Sequence, residues 1–221
     1  MIKILNEFTG VTIALLAGIY TFKYMNLLYR IFFFQSLSYL LILLLSYAVQ
    51  SIPRMQHRNE WLFNSYMPIE TGLLTWCGYE FFRHRKEKIV IWIGYAIFLI
   101  LLLCELFIKG IWEFSNHGYI AESFLIVMVY LGIIYFLLTN QNKTWKHSPE
   151  LWIALGLILY FGCTLPYLSL LKYLEVSYPK ANIYLFRLIT VGLANLRYLL
   201  LAYGFWLMRG NALKKTTTPH E

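Results

Sequence analysis

Seven stretches of this chain are each long and apolar enough to cross a lipid bilayer, and together they use up nearly all of its 221 residues. A span needs about 20 mostly apolar residues to cover roughly 30 Å of hydrocarbon. The stretches lie at about 7–24, 31–49, 61–82, 89–107, 119–138, 151–171 and 183–207. They predict an all-α fold, a polytopic membrane protein whose residues 1–210 form a bundle of seven transmembrane helices. Residues 211–221 read as a short polar tail with no fold of their own. The lipid bilayer is therefore the first partner of the chain.

Hydrophobic residues make up 59% of the chain and charged ones 14%, against about 25% charged in a typical soluble domain. Aromatic residues gather near span ends, as at Tyr24, Tyr29, Trp61, Tyr119, Trp152 and Trp206, where amphipathic rings favour the headgroup layer. The formal charge of +8 invites a nucleic-acid reading. The basic residues are spread over short loops instead of lying on one face, which argues against nucleic acid and for orientation in a membrane. All eleven acids are Glu, so motifs that need Asp for metal binding or phosphoryl transfer are absent. Cys77, Cys104 and Cys163 fall in three different spans, and no disulfide framework follows. No cleavable signal peptide is expected, because Glu7 opens the first apolar run and no small-residue cleavage site follows a short core.

The loops carry an orientation signal. One side holds Lys23, Arg30, Arg83, Arg85, Lys86, Lys88, Lys143, Lys146, Arg209, Lys214 and Lys215. The other holds Lys3, Arg54, Arg58, Lys109, Lys172 and Lys180. Eleven against six predicts the N-terminus outside and the C-terminus in the cytoplasm, with the run at 83–88 as the strongest determinant.

Ionisable groups inside spans are expensive and mark either a function or a structural pair. In the third stretch Glu60, Asn64, Pro68, Thr71 and Thr75 form one polar stripe at helical spacing, and Glu70 lies near mid-bilayer. Glu105 closes the fourth stretch and Glu122 opens the fifth. The seventh places Arg187 about one turn below the outer interface, and Asn195 and Arg197 deeper. Asn64, Glu70, Glu105, Glu122 and Arg187 are expected to converge in the outer half of the bundle, with at least two in an ion pair and Arg197 as a deeper base. The plainer reading is that these charges only tie helices together. Pro68 and Pro166 are expected to bend their helices and open an outward cavity between them. In the first stretch Gly10, Ala14 and Gly18 form a small-residue stripe for close helix contact, within the bundle or in a homo-oligomer.

Much chemistry can be argued down. All five histidines lie in loops or the tail, so an intramembrane His metal site is not expected. There is no phosphate-binding glycine loop, no lysine deep in the seventh stretch for a retinal, and no Ser–His or Cys–His pair at one depth. Neither a cofactor nor catalysis is expected.

Three runs carry a resemblance: 64–70 (NSYMPIE), 149–162 (PELWIALGLILYFG) and 194–198 (ANLRY). Together they resemble a family of seven-helix integral membrane proteins common in Bacteroidota, often encoded beside two-component sensor kinases. The resemblance implies a bacterial inner-membrane protein with a sensory role and a signalling partner, and assigns no catalytic residue. Two classes of function then compete. A sensory or partner-binding module fits the outer polar cluster. A transporter or channel, including an oligomeric membrane effector, needs a polar path across the whole bilayer, and the inner halves of the fourth and fifth stretches are almost wholly apolar.

Overall fold

The computed structural model describes residues 2–52, 59–82, 86–139 and 147–217. Every described element is helical: α1 (Ile2–Thr21), a 3-10 turn (Phe22–Tyr24), α2 (Leu27–Gln50), α3 (Glu60–Phe81), α4 (Glu87–Lys109), α5 (Asn116–Thr139), α6 (Pro149–Ser177), α7 (Pro179–Arg187), a π-helical segment (Leu188–Leu193) and α8 (Ala194–Thr217). In hydrocarbon each backbone N–H and C=O must find a partner within its own segment, and helices meet that demand. Five helical stretches are long and apolar enough to cross a membrane: Leu27–Gln50, Lys88–Lys109, Asn116–Thr139, Pro149–Leu171 and Pro179–Leu213. They point to an integral membrane protein. Phe8–Tyr24 is apolar but shorter, and α3 is diluted by the polar residues that make it informative.

Local chemistry sets several helix ends. Asn26 caps α2 by accepting from the Tyr29 N–H at 3.3 Å. Pro149 opens α6 with Glu150 in its first turn. Gly110, at φ 83°, ends α4 in a conformation that side chains other than glycine avoid.

Six helices close a ring in the order α1, α2, α3, α5, α6, α8 and back to α1, and α4 lies outside against α3 and α5. On α4, Ile89, Ile93, Ile97 and Ile100 follow helical spacing and are all exposed, as lipid-facing positions should be. Small residues let α8 sit deep between its neighbours. A Cβ on Gly10 of α1 would come within 2.7 Å of the Asn195 Cα, and one on Gly156 of α6 within 3.1 Å of the Arg197 carbonyl oxygen. The Gly10 N–H donates to Asn195 Oδ1 at 2.7 Å. The Gly10–Ala14–Gly18 stripe is thus turned inward, with Ala14 fully buried.

Several expectations need correcting. α7, the π segment and α8 form one continuous helical rod that runs beyond residue 210, so residues 211–217 are helical and not an unfolded tail. Nothing there stops a helix: Ala212, Leu213, Lys214 and Lys215 are all good helix formers. α3 and α6 continue through Pro68 and Pro166. In the ring α5 stands between them, packed against both. Tyr29 is turned into the bundle instead of toward lipid, and the hydroxyls of Tyr29 and Tyr119 bond to Glu150 at 2.6 Å and to Tyr160 at 3.0 Å. Against the burial usual for free thiols inside a span, Cys104 and Cys163 are exposed, while Cys77 is buried. Arg54, His57, Arg58, Arg83, His84, Arg85, Lys143, Lys146 and His220 lie outside the described residues.

Candidate functional site: a buried charged pair in a tyrosine shell

Glu70 sits ten residues into α3, about 15 Å from the helix start at 1.5 Å per residue. Its only exit from the cost of burial is a partner, and the ring supplies one. Arg197 of α8 donates from Nη2 to Glu70 Oε1 at 2.7 Å, and both side chains are almost fully buried. Gln35 of α2 donates to the same oxygen from Nε2 at 3.0 Å and lies 3.4 Å from the hydroxyls of Tyr66 and Tyr198. The Arg197 guanidinium carbon is 5.2, 5.1 and 5.1 Å from the ring centres of Tyr160, Phe161 and Tyr198. Ring faces attract cations, most strongly where water is excluded. Tyr39 stacks on Tyr198 at 5.2 Å and closes the shell. One charged pair therefore ties α2, α3, α6 and α8 together in low dielectric.

Beside it, on the seam of α3 and α5, the Thr71 hydroxyl donates to Glu122 Oε1 at 2.6 Å. Glu122 is fully buried. Its Oε2, with the hydroxyls of Thr75 and Ser123, has no hydrogen-bond partner among the described residues.

A second cluster lies where α4 turns into α5. Glu105 accepts from Ser115 Oγ and from the Gly118 N–H (2.8 Å), and pairs with Lys109 and with His117 Nδ1 at 2.9 Å. Asn64 reaches the same turn from α3, donating to the carbonyls of Ile111 (2.8 Å) and Glu113 (2.7 Å) and accepting from the Ser115 N–H (3.0 Å). Asn64 and Glu105 thus hold the α4–α5 connection, and the Gly118 N–H in the first turn of α5 donates to both Glu105 Oε2 (2.8 Å) and Ser115 Oγ (3.3 Å). Ser115→Ala should cost about 1 kcal/mol by losing this cap, read as a lower unfolding midpoint in detergent. An unchanged midpoint would deny the cap its role.

The expected convergence is thus split. Glu70, Arg197 and Glu122 lie in the ring interior, Asn64 and Glu105 belong to the turn cluster, and Arg187 is exposed on α7 with no described acid paired to it. The physical reason is position: α7 packs against α6 at the rim, where Tyr167 donates to Asn182 at 2.9 Å, and it does not enter the ring. Gln35, Tyr66, Tyr119, Tyr160 and Tyr198 join the site from outside the set of residues that the sequence points to. Gln35 carried a usable signal, a lone amide in the apolar run 31–49. No protein-family model, curated protein or solved structure matches the chain.

Proposed function

We propose that the chain is a sensory or partner-coupling module of seven transmembrane segments in a bacterial inner membrane. In this reading its N-terminus is outside and its C-terminus cytoplasmic, a ligand acts on the outer half of the bundle, and a signalling protein receives the change. The observation that carries the reading is the Glu70–Arg197 pair, one contact shared by four helices of a closed ring. Such a pair is either made or broken, and a receptor needs only two conformations that a ligand favours differently. The resemblance of the runs at 64–70, 149–162 and 194–198 to kinase-associated membrane proteins supports it too. Transport is the rival reading, and the uncompensated Glu122 is the observation in its favour.

Affinity purification in mild detergent, with an autophosphorylation assay on any recovered kinase, tests the proposal. The expected result is a stable kinase partner whose activity changes when Glu70→Gln weakens the pair. Ion or solute flux in liposomes that is lost on Glu70→Gln would overturn it in favour of transport. Orientation is tested separately by reporter fusions at residue 221 and near residue 57. A fluorescent cytoplasmic reporter should light at 221 and a periplasmic phosphatase should work near 57, and the reverse pattern would invert the topology.

A further inference from the structure

One end of the seam between α1 and α8 carries positive charge with nothing to balance it. Arg209 of α8 lies over the rings of Tyr20 and Trp206, 4.3 and 5.7 Å from their centres, and those rings stack on each other at 6.3 Å. Lys23 of the 3-10 turn lies over Tyr24 at 4.9 Å. Both cations also interact with the Tyr24 hydroxyl, so the three groups share one small region. Neither cation has an acid partner among the described residues, and Arg209 Nε is buried without an acceptor there. A guanidinium held over two rings, beside an ammonium and a phenol, is a donor set suited to phosphate oxygens. Tyr20 and Trp206 are themselves exposed, as rings at headgroup depth are.

The same seam continues into an apolar groove. α1 and α8 run in the same direction, since Gly10 meets Asn195 and Tyr20 meets Trp206. Ile13 and Tyr20 stand two turns apart on α1, as Leu199 and Trp206 do on α8, so each pair shares a helix face. Tyr20 and Trp206 form the stack, while Ile13 and Leu199 line a groove of about 240 Å³ with Gly10, Val191 and Gly192. Val191 and Gly192 belong to the π-helical segment, a distortion frequent at functional sites. A Cβ on Gly192 would meet only Leu188 Cδ1 among the described residues, at an ordinary 3.4 Å, so close packing does not call for this glycine. Leu199 is ten residues from Arg209. That is about 15 Å at 1.5 Å per residue, half of a roughly 30 Å hydrocarbon core.

We propose that this seam binds one anionic phospholipid, its phosphate held by Arg209, Lys23 and Tyr24 and one tail laid along the seam into the groove beside Gly192. A free phosphate would leave the groove empty, and a lipid of no net charge would leave the two cations unbalanced. Basic pockets between transmembrane helices hold anionic headgroups on the same principle. The site does not depend on the sensory reading.

Thermal unfolding of the purified full chain in nonionic detergent tests it. The added probes are dioleoyl phosphatidylglycerol, dioleoyl phosphatidylcholine, dihexanoyl phosphatidylglycerol and glycerol phosphate. Saturating dioleoyl phosphatidylglycerol should raise the melting temperature by about 5 °C, and phosphatidylcholine and glycerol phosphate should raise it far less. Arg209→Gln should stay folded and need several-fold more of the dioleoyl anionic lipid. Gly192→Leu fills the groove from α8 and Ile13→Phe fills it from α1. Each should weaken the dioleoyl anionic lipid several-fold and leave the dihexanoyl one, whose tails are too short to reach, unchanged. A cooperative transition without lipid shows that each variant is folded. Equal shifts with the two dioleoyl lipids, or wild-type affinity in Arg209→Gln, would overturn the site. Wild-type affinity for the dioleoyl anionic lipid in both groove variants would overturn the seating of the tail. Equal stabilisation by glycerol phosphate would overturn the lipid and assign the cations to a free phosphate.

Discussion

Arg197→Ala should destabilise the fold by about 3–5 kcal/mol, because it leaves Glu70 buried in the ring without its countercharge. The loss combines three parts: the charge-assisted bond at 2.7 Å, the packing of the guanidinium among Tyr160, Phe161 and Tyr198, and the desolvation of a carboxylate left, among the described residues, with the Gln35 amide. Pairing Arg197→Met with Glu70→Leu should recover most of that loss, since an apolar pair of similar volume no longer strands a charge. Unfolding with increasing SDS in mixed micelles reads both. A double variant no better than Arg197→Ala would mean that the pair is not the stabilising unit, and that shape alone holds the four helices.

The helices and their approximate limits were legible because apolar length is written directly in composition. The stretch at 31–49 became α2, and that at 61–82 became α3 within one residue. The rod formed by α7, the π segment and α8 extends past the apolar stretch 183–207 at both ends. Pro179 is a good first residue for a helix, and the polar residues after 207 end a hydrophobic run without ending a helix. Glu70, Glu122 and Arg197 were legible as expensive charges. Which partner each would take was not, since that depends on which helices adjoin, and periodicity along one helix carries no such information. Asn64 shares a face with Thr71, yet it bonds to the α4–α5 turn while Thr71 bonds to α5. The tyrosine hydrogen bonds are hidden in the sequence for a related reason. A ring with a hydroxyl suits the membrane interface and a buried polar cluster equally well, and only tertiary contacts decide between the two.

Gly10→Ala should cost about 2–3 kcal/mol, although glycine to alanine inside a helix is ordinarily favourable, because the clash is with backbone. The added Cβ would stand 2.7 Å from the Asn195 Cα and 2.9 Å from its carbonyl oxygen, and α8 would have to move outward as a body. Gly18→Ala on the same stripe should cost less, since its closest contact is the Phe33 ring at 2.5 Å, a side chain able to rotate. The displacement matters beyond α1. Gly156 grips the other side of α8 at Arg197, so a shift forced at Asn195 is carried two residues on to the guanidinium and lengthens its bond to Glu70. Gly10→Ala combined with Arg197→Ala should therefore lose less than the sum of the two, by about 0.5 kcal/mol or more, the coupling expected of sites that share one packed contact. Strict additivity in the same SDS titration would separate the glycine contact from the charged pair, and it would show that the two ends of this part of α8 are held independently.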